Sequence, residues 1–436
     1  MKTIYRLLFY LTLISIVRAE EPAESASAPR DRVSLREVTD AVLANNPAIQ
    51  QSLNKWNAAK LRVRQELAWD DLKVTGNSRA ARFIDIAPNS FADQIVSVEQ
   101  LVPVTGKNLL RGRIAAAAAV EAFEDARREQ LNVLTKTRTS YFHSLSAYAQ
   151  LDLNRKNLTS LRQNAEVSRS RYEVGRANLA DALASEVEVS KSLEAEQEIL
   201  RSISSAQSQL NVLMNRDAFA PLGRPQNVTI VSQVPELSEI RALMATNRPE
   251  IKTAQAKIDV QKAQLELARR NWIPDPAVMV QAQRYNDSRQ AASEVGVGVS
   301  FTLPWVNPGK YSAGVREAKE NLSAAERAFD LTNSESLGLL SDALRTIQTA
   351  EHHVDLYRDK LLPQARQAFE ANQFAYESNK IGFLEWIISQ RILRDAEATA
   401  TQHLSDYESA LAELESIVGA DLKLFPSARN QIEESK

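Results

Sequence analysis

Few side chains in this sequence have the types and spacing that metal or thiol chemistry requires. The chain has no cysteine, so the sequence excludes disulfides, thiolate zinc sites and cysteine nucleophiles. Of its four histidines, only His352 and His353 are adjacent. Neighbouring residues on a helix point about 100° apart and do not converge on one ion. We therefore expect no metal site and no cofactor.

Two lysines follow glycines in a way that resembles the end of a phosphate-binding loop. The segments are Gly106-Lys107-Asn108 and Gly309-Lys310-Tyr311. Such a loop needs a glycine five positions before the second glycine, and Leu101 and Pro304 occupy those positions. We expect no nucleotide site. The acidic residues lie beside basic ones on predicted helices, as on solvated surfaces, so the sequence predicts a protein that is not an enzyme.

Charge and hydropathy restrict the class of protein further. The 436 residues include 53 basic and 55 acidic side chains, a net charge of -2 without a block of one sign, which argues against nucleic-acid binding. Residues 1–19 are typical of a secretory signal peptide, with Lys2 and Arg6 before an apolar run and Ala19 at the cleavage site. A membrane anchor is the alternative, although the apolar run is short for a span. We expect an exported protein without a cysteine-linked lipid.

The largest predicted element runs from Lys107 to about Val174 as one helix or two coaxial ones, because this stretch contains no proline and one glycine, Gly112. At roughly 1.5 Å per residue such a helix reaches about 100 Å. Its apolar residues recur at steps of three, four and seven along one face: Leu131, Leu134, Tyr141, Leu145, Tyr148, Leu151, Leu158, Leu161, Ala165 and Tyr172. A helix this long needs partners of similar length to bury that face.

The segments around the long helix divide the chain. A helix is predicted to start after Ser34, with Glu37 at the capping-box position, and to restart at Pro47. Extended segments follow at Leu72–Ile84 and Ala92–Val102. The predicted division is a signal peptide (1–19), a disordered lead-in (20–33), a first structural repeat (34–215), a linker (216–236), a second repeat (237–419) and a C-terminal tail (420–436).

The second half of the sequence repeats the first. Matching pairs are Asn45 with Asn247, Val102 with Leu303, Gly106 with Gly309 and Tyr172 with Tyr376, at offsets of 202, 201, 203 and 204 residues. The fold class is therefore mainly α with a small β part, built from two tandem units of helix, two strands, long helix and shorter helix. Pro363 predicts a kink in the second long helix.

The extended segments alternate apolar and polar residues. Val295, Val297, Val299, Phe301 and Leu303 alternate with glycine, serine and threonine, and Val278 and Val280 alternate with methionine and glutamine. Strands of about ten residues with this pattern are typical of tilted membrane-spanning strands. Four strands cannot close a barrel, so several copies must contribute, and three copies give twelve strands. The alternative is two small hairpins in a soluble domain.

Beyond the signal peptide, nearly the whole sequence resembles the TolC-type outer-membrane efflux proteins. The resemblance rests on ordered motifs that occur twice: Leu43-Ala44-Asn45-Asn46-Pro47 and Thr246-Asn247-Arg248-Pro249, Gln100-Leu101-Val102-Pro103 before Gly106 and Phe301-Thr302-Leu303-Pro304 before Gly309, and Tyr172-Glu173-Val174-Gly175 and Tyr376-Glu377-Ser378-Asn379. It implies a homotrimer with a twelve-stranded β-barrel in the outer membrane and a long α-helical tunnel in the periplasm. It also implies a passive exit duct that works with a periplasmic adaptor protein and an inner-membrane pump of the RND or ABC type.

The resemblance implies roles for the ends of the helical hairpins. Adaptor docking is assigned to Val174, Gly175, Arg176, Ser378, Asn379 and Lys380, and the aperture carboxylates are Asp181 and Glu385. The sequence departs from the family's pattern at Asn379, where glycine is usual, and at Ile388, where some members have a second acid. A more apolar mouth is therefore expected. A solvated helix acid is the alternative role for Glu385.

Two other functions stay open on the sequence alone. A periplasmic adaptor would also contain long helices, but with one hairpin flanked by glycine-rich β segments. A structural coiled-coil scaffold would not need the alternating strands. Nothing at the predicted lumen positions selects among metal ions, drugs and exported proteins as cargo.

Overall fold

The structure is a computed structural model that describes residues 32–78, 94–175, 178–227, 235–284, 294–378 and 380–420, together with residues 292 and 422. The first half contains β1 (Arg32–Val33), α1 (Leu35–Asn45), α2 (Pro47–Leu67), β2 (Lys73–Ser78), β3 (Gln94–Leu101), α3 (Lys107–Glu173), α4 (Leu179–Leu213) and β4 (Arg224–Pro225). The second half contains α5 (Leu237–Asn247), α6 (Pro249–Arg270), β5 (Ala277–Arg284), β6 (Glu294–Ser300), α7 (Pro308–Leu356), α8 (Leu362–Glu377) and α9 (Phe383–Val418). The predicted tandem repeat, mainly helical with a small sheet, is confirmed.

The first two helices begin where the sequence predicts. The hydroxyl of Ser34 accepts a hydrogen bond from the backbone N–H of Glu37 at 3.2 Å, and the Glu37 carboxylate accepts one from the Ser34 N–H at 2.9 Å. This reciprocal pair is a capping box. The Asn46 side chain caps α2 by accepting from the N–H of Ala48 at 3.0 Å. Pro47 fits the first turn of α2 because no N–H is needed there.

Helix α3 is the axis of the fold. It runs over 67 residues and packs against α2 and α4 of its own half and against α6 and α9 of the second half. Tyr141, Leu151 and Leu161 of the predicted apolar face are buried. The prediction that this helix needs long partners is therefore confirmed. Among the described helices, none combines the length and the apolar character needed to cross a bilayer.

Buried residues show how the two halves correspond. Val38 and Val42 of α1 match Ile240 and Met244 of α5, 202 positions later. Buried residues of α3 match those of α7 203 positions later: Val133 with Ser336, Thr137 with Leu340, Ser140 with Ala343, Ser144 with Ile347 and Ala147 with Ala350. Buried residues of α4 match those of α9 204 positions later: Ile203 with Tyr407, Ala206 with Ala410, Leu210 with Leu414 and Met214 with Val418. These buried positions of one half therefore have defined counterparts in the other.

The second half contains one extra residue inside a helix. A π-turn over Tyr357–Leu361 separates α7 from α8, and the N–H of Leu362 donates to the carbonyl of Tyr357, five residues earlier. The offset between the halves is 203 before this turn and 204 after it, where buried Leu161 matches buried Ala365. The irregularity therefore precedes Pro363, the residue at which the sequence predicts a kink. Pro363 lies in the first turn of α8.

A four-stranded antiparallel sheet joins the halves in the order β2-β3-β5-β6. The central pair, β3 and β5, connects the two repeats and places Leu101 opposite Ala277. Strand β6 ends at Ser300, three residues before the end of the predicted alternation. The reason is that the register would place the following residues opposite Pro274 and Pro276, which have no N–H for the ladder. Residues 79–93 and 285–291, within and beyond the predicted strands, lie outside the described residues.

Candidate functional site

The groups that could bind a metal remain scattered. Within the part of the chain that the structure describes, no group of three or more His, Cys, Asp or Glu side chains is arranged to hold a metal ion. The structure does bring His403 of α9 to His353, with 4.7 Å between ring centroids, while His352 lies 6.3 Å from His353. The sequence did not predict the first contact, because the two residues lie 50 positions apart on different helices.

Lys107, at the end of the loop that resembles a phosphate-binding motif, ties the two halves together. Its Nζ lies 3.1 Å from the Asp275 carboxylate and donates to the carbonyl of Ile273 at 2.6 Å. The same carboxylate accepts hydrogen bonds from the N–H and hydroxyl of Thr105 at 3.0 and 2.7 Å, and Arg270 donates to the Thr105 carbonyl at 2.8 Å. These contacts fix the turn before α3 to the turn before β5, directly below the sheet.

The sheet has one apolar face and one polar face. Most of the apolar face is formed by exposed valines on all four strands: Val74, Val96, Val98, Val278, Val280, Val295, Val297 and Val299. The polar face presents Lys73, Thr75, Asn77, Ser97, Glu99, Gln281, Gln283 and Glu294. A continuous exposed apolar face of this kind marks contact with a membrane or another protein. The predicted alternation is therefore confirmed at the level of the sheet.

Both edges of the sheet are open. In the described part of the chain, β2 pairs only with β3, and β6 pairs only with β5. Each outer edge therefore presents backbone N–H and C=O groups without a strand partner. An unsatisfied backbone group in lipid costs several kcal/mol, so open edges are not found there. An apolar sheet of this form needs an additional strand on each side.

The predicted docking residues lie in the two turns that end the helical hairpins. In the turn between α3 and α4, Val174 is exposed and Gly175 adopts a φ of +70°. In the turn between α8 and α9, Ser378 is exposed, and the backbone N–H of Lys380 donates to a carbonyl of α8. Two further predicted docking residues, Arg176 and Asn379, lie outside the described residues.

An aromatic cluster holds the two hairpins side by side near these turns. Phe383 and Trp386 of α9 are buried against Leu161 of α3. The Tyr376 ring stacks on Trp386 at a centroid distance of 5.3 Å, and the guanidinium of Arg171 lies 5.1 Å from the Tyr376 centroid. Because α3 and α9 belong to different halves, the two hairpin ends form one surface.

The predicted aperture acids lie in equivalent places near this surface. Asp181 and Glu385 lie in the first turns of α4 and α9, where a helix dipole stabilises a carboxylate. Glu385 is exposed, and it shares the exposed side of α9 with Leu384, Ile388 and Ile392. The chain therefore presents one acid beside an apolar stripe at this end of α9.

A buried ion pair, which the sequence did not reveal, lies farther along the same helices. Glu188 of α4 is 2% exposed and accepts a hydrogen bond from Nε of Arg391 on α9 at 3.1 Å, and Nζ of Lys191 lies 3.3 Å away. Burial raises the pKa of Glu188, but the hydrogen bonds and charges of Arg391 and Lys191 outweigh it, so the pKa lies below the ordinary value. The sequence contained one signal of this ion pair. The position equivalent to Glu188 in the second half is occupied by the apolar Ile392.

Replacing Glu188 with glutamine should remove part of the dependence of stability on pH. Because the folded-state pKa of Glu188 is lowered, its ion pair stabilises the fold above the unfolded pKa of about 4.3, and this contribution is lost as the pH falls through the folded-state value. The wild-type melting temperature should therefore fall more steeply below about pH 4.3 than that of Glu188→Gln. Melting curves at a series of pH values test this, with Glu198→Gln at an exposed ion pair as the control. Equal slopes for Glu188→Gln and wild type would contradict it.

The helices follow the same lateral order as the strands, and the outer helices are incompletely covered. Helix α2 packs on α3, α3 on α6, and α6 on α7. Leu61 of α2 is 60% exposed, whereas its counterpart on the inner helix α6, Ala263, is buried. The flanks formed by α2 and α7 therefore present surfaces that the inner helices bury.

Comparison with known proteins gives a consistent result. The family model described as outer membrane efflux protein matches residues 241–420. The cobalt-zinc-cadmium resistance protein CzcC of Cupriavidus metallidurans is 21% identical over 285 residues, which cover 64% of this chain and 66% of CzcC, about two thirds of its length. The alkaline protease secretion protein AprF of Pseudomonas aeruginosa is 21% identical over 327 residues, covering 72% of this chain and 68% of AprF.

The fold also matches solved structures. The CmeC outer membrane channel of Campylobacter jejuni superposes with a TM-score of 0.76 at 16% identity, covering 92% of this chain and 89% of CmeC. The tandem repeat, the two-faced sheet and the paired helical hairpins are thus features of a known channel fold. The family model, the relatives and the fold all indicate similarity to the outer membrane efflux proteins.

Proposed function

We propose that three copies of this chain form a passive exit duct in the outer membrane. The twelve strands form one β-barrel with the valine face toward lipid and the polar face toward water. The helices form a tunnel that extends into the periplasm. The observation that carries this proposal is the four-stranded sheet with a continuous apolar face and two open edges.

The proposed duct works with two partner proteins. The proposal includes a periplasmic adaptor that docks on the hairpin turns at Val174, Gly175, Arg176, Ser378, Asn379 and Lys380. It also includes an inner-membrane pump of the RND or ABC type that provides the energy. The names of the relatives point to different cargoes, metal ions for CzcC and a protease for AprF. We assign small molecules or ions as the cargo of this duct, with residues 1–19 directing its export.

Purification in detergent followed by bilayer recording tests the duct directly. We expect a trimer that resists dodecyl sulfate at room temperature and dissociates on heating, because a closed barrel has no unpaired edge. The same preparation should give stepwise conductance in a planar bilayer. A monomer that is stable without detergent and conducts nothing would refute the proposal. The rival functions, an adaptor or a scaffold, would give neither heat-modifiable migration nor conductance.

Neutralising Glu385 should weaken block of the channel by multivalent cations by roughly tenfold. Threefold symmetry would bring three Glu385 carboxylates to one constriction, where their potentials add and attract cations. The measurement is the blocking concentration of a trivalent cation for wild type and Glu385→Gln in a planar bilayer. Glu413→Gln is the control, because Glu413 is also an exposed acid of α9 but lies about 40 Å away along the helix. Equal block in wild type and Glu385→Gln would leave Glu385 as a solvated helix acid.

A further inference from the structure

The chain contains one complete junction between its halves near the ends of α4 and α9. There, Leu35 of α1 and Leu134 of α3 line one groove together with Ser416 of α9. The hydroxyl of Thr135 lies 3.4 Å from the carbonyl oxygen of Ala412, so α3 and α9 approach closely beside this groove. The face of α1 and α3 in the first half thus receives the end of the last helix of the second half.

The repeat places an equivalent set of residues on surfaces that do not meet within the chain. The counterparts of Leu35, Leu134 and Ser416 are Leu237, Leu337 and Val212, at offsets of 202, 203 and 204. All three are apolar and exposed, at 48%, 39% and 59%. Val212 lies on α4, which packs on α3, whereas Leu237 and Leu337 lie on α5 and α7, which pack on α9. One half of a second junction is therefore present on each side of the molecule.

We propose that Val212 of one copy packs against Leu237 and Leu337 of the next copy, so that each subunit boundary repeats the junction inside the chain. This inference rests on the proposed trimer and specifies which surfaces meet. The two surfaces differ from each other, so their contact is heterologous, and heterologous contacts close into rings when the rotation fits. Exposed apolar residues on both surfaces are then buried by the same step.

The residues next to the proposed contact are small enough for α7 and α4 of the next copy to approach as closely as α3 and α9 do within the chain. The counterparts of Thr135 and Ala412 are Gly338 and Ser208, so two small residues would face each other where α7 meets α4 of the next copy. At the internal junction, Arg138 faces the buried carboxylates of Glu408 and Glu415. The counterparts of these three residues are Ser341, Ser204 and Asn211, none of which carries a charge. At these three positions the proposed boundary therefore has no ion pair, and the contact rests on the apolar residues.

Paired cysteine substitutions test this contact without interference, because the chain has no native cysteine. In the full-length protein, Val212→Cys combined with Leu337→Cys should be joined by a short bis-maleimide into covalent trimers in most molecules. The matched control combines Val212→Cys with Leu339→Cys. Leu339 is 49% exposed and lies two positions farther along α7, but its counterpart at the internal junction, Lys136, faces solvent. This control pair should give no covalent trimer.

A second pair of cysteine substitutions tests the geometry of the junction inside the chain. Leu134→Cys with Ser416→Cys should cross-link within one chain, shifting its migration on a gel without producing oligomers. If cysteine variants fail to assemble, Val212→Asp and Leu339→Asp provide the alternative comparison. Val212→Asp should lower the temperature at which the trimer dissociates, because it places a charge in an apolar contact. Leu339→Asp should leave that temperature unchanged.

The outcomes separate this inference from the proposed function. Covalent trimers from the Val212 and Leu337 pair, with none from the control pair, support the contact. A stable trimer that does not cross-link at this pair, or that cross-links equally in the control, overturns the contact and leaves the exit duct intact. A protein that is monomeric in detergent overturns both.

Discussion

Replacing Arg138 with leucine should lower the free energy of unfolding by about 3–5 kcal/mol. Arg138 lies on α3 in the first half, and its guanidinium faces two carboxylates of α9 in the second half, including that of Glu408 at 3.9 Å. The Glu408 and Glu415 side chains are 0% and 7% exposed, so water does not replace the guanidinium when it is removed. The leucine variant removes the positive charge that faces both buried carboxylates. Urea titration of the detergent-solubilised protein, followed by circular dichroism, measures the change.

Two variants separate the charge effect from lost packing. Arg201→Leu removes an arginine from an ion pair whose side chains are 72% and 66% exposed, and it should change stability by no more than about 1 kcal/mol. Adding Glu408→Gln and Glu415→Gln to Arg138→Leu should recover much of the loss, because the buried negative charges are then also removed. If the combined variant is no more stable than Arg138→Leu alone, the loss comes from packing and not from charge.

Replacing Gly419 with alanine should cost about 2–5 kcal/mol. Gly419 ends α9 with a φ of +76°, a conformation that costs an L-residue roughly 1–2 kcal/mol. A Cβ atom at this position would also lie 2.7 Å from the carbonyl oxygen of Asn247 and 3.1 Å from Cα of Arg248. Both atoms belong to the backbone between α5 and α6, so they cannot move away as a flexible side chain would. Thermal and urea unfolding of the variant give the size of the loss.

Gly175→Ala is the matched control for this prediction. Gly175 has a similar φ of +70°, but an added Cβ meets no atom within 4 Å. Its substitution should cost only the backbone term, roughly 1–2 kcal/mol. The difference between the two variants therefore measures the close approach of α9 to the junction of α5 and α6. Equal losses would mean that this approach contributes nothing to stability.

Local sequence signals predicted much of the fold. The capping box at Ser34, the proline at the start of α2 and the alternation in β5 and β6 each depend on residues within a few positions of one another. The tandem repeat was visible because the two halves keep the same order of breaks and buried positions. The repeat predicts one hairpin in each half, but it does not determine that β3 and β5 form the central pair.

Contacts between segments that lie far apart in the chain could not be predicted from the sequence. Glu188 and Arg391 lie 203 positions apart, and His353 and His403 lie on different helices, so no spacing rule connects them. The predicted end of β6 lies beyond the observed end, because the prolines that stop the ladder directly precede the opposite strand. The docking role of the hairpin ends and the aperture role of Asp181 and Glu385 rest on family resemblance and stay predictions.

The π-helical turn over Tyr357–Leu361 determines which residues of the two halves are equivalent. A helix advances about 100° per residue, so an alignment that treats the second long helix as uninterrupted rotates every later assignment by that angle. Residues that line water would then be assigned to a buried helix face, and buried residues would be assigned to positions that line water. Since the added residue is accommodated within one turn, the buried positions of the two halves keep the same phase on either side of it, although one hairpin is longer.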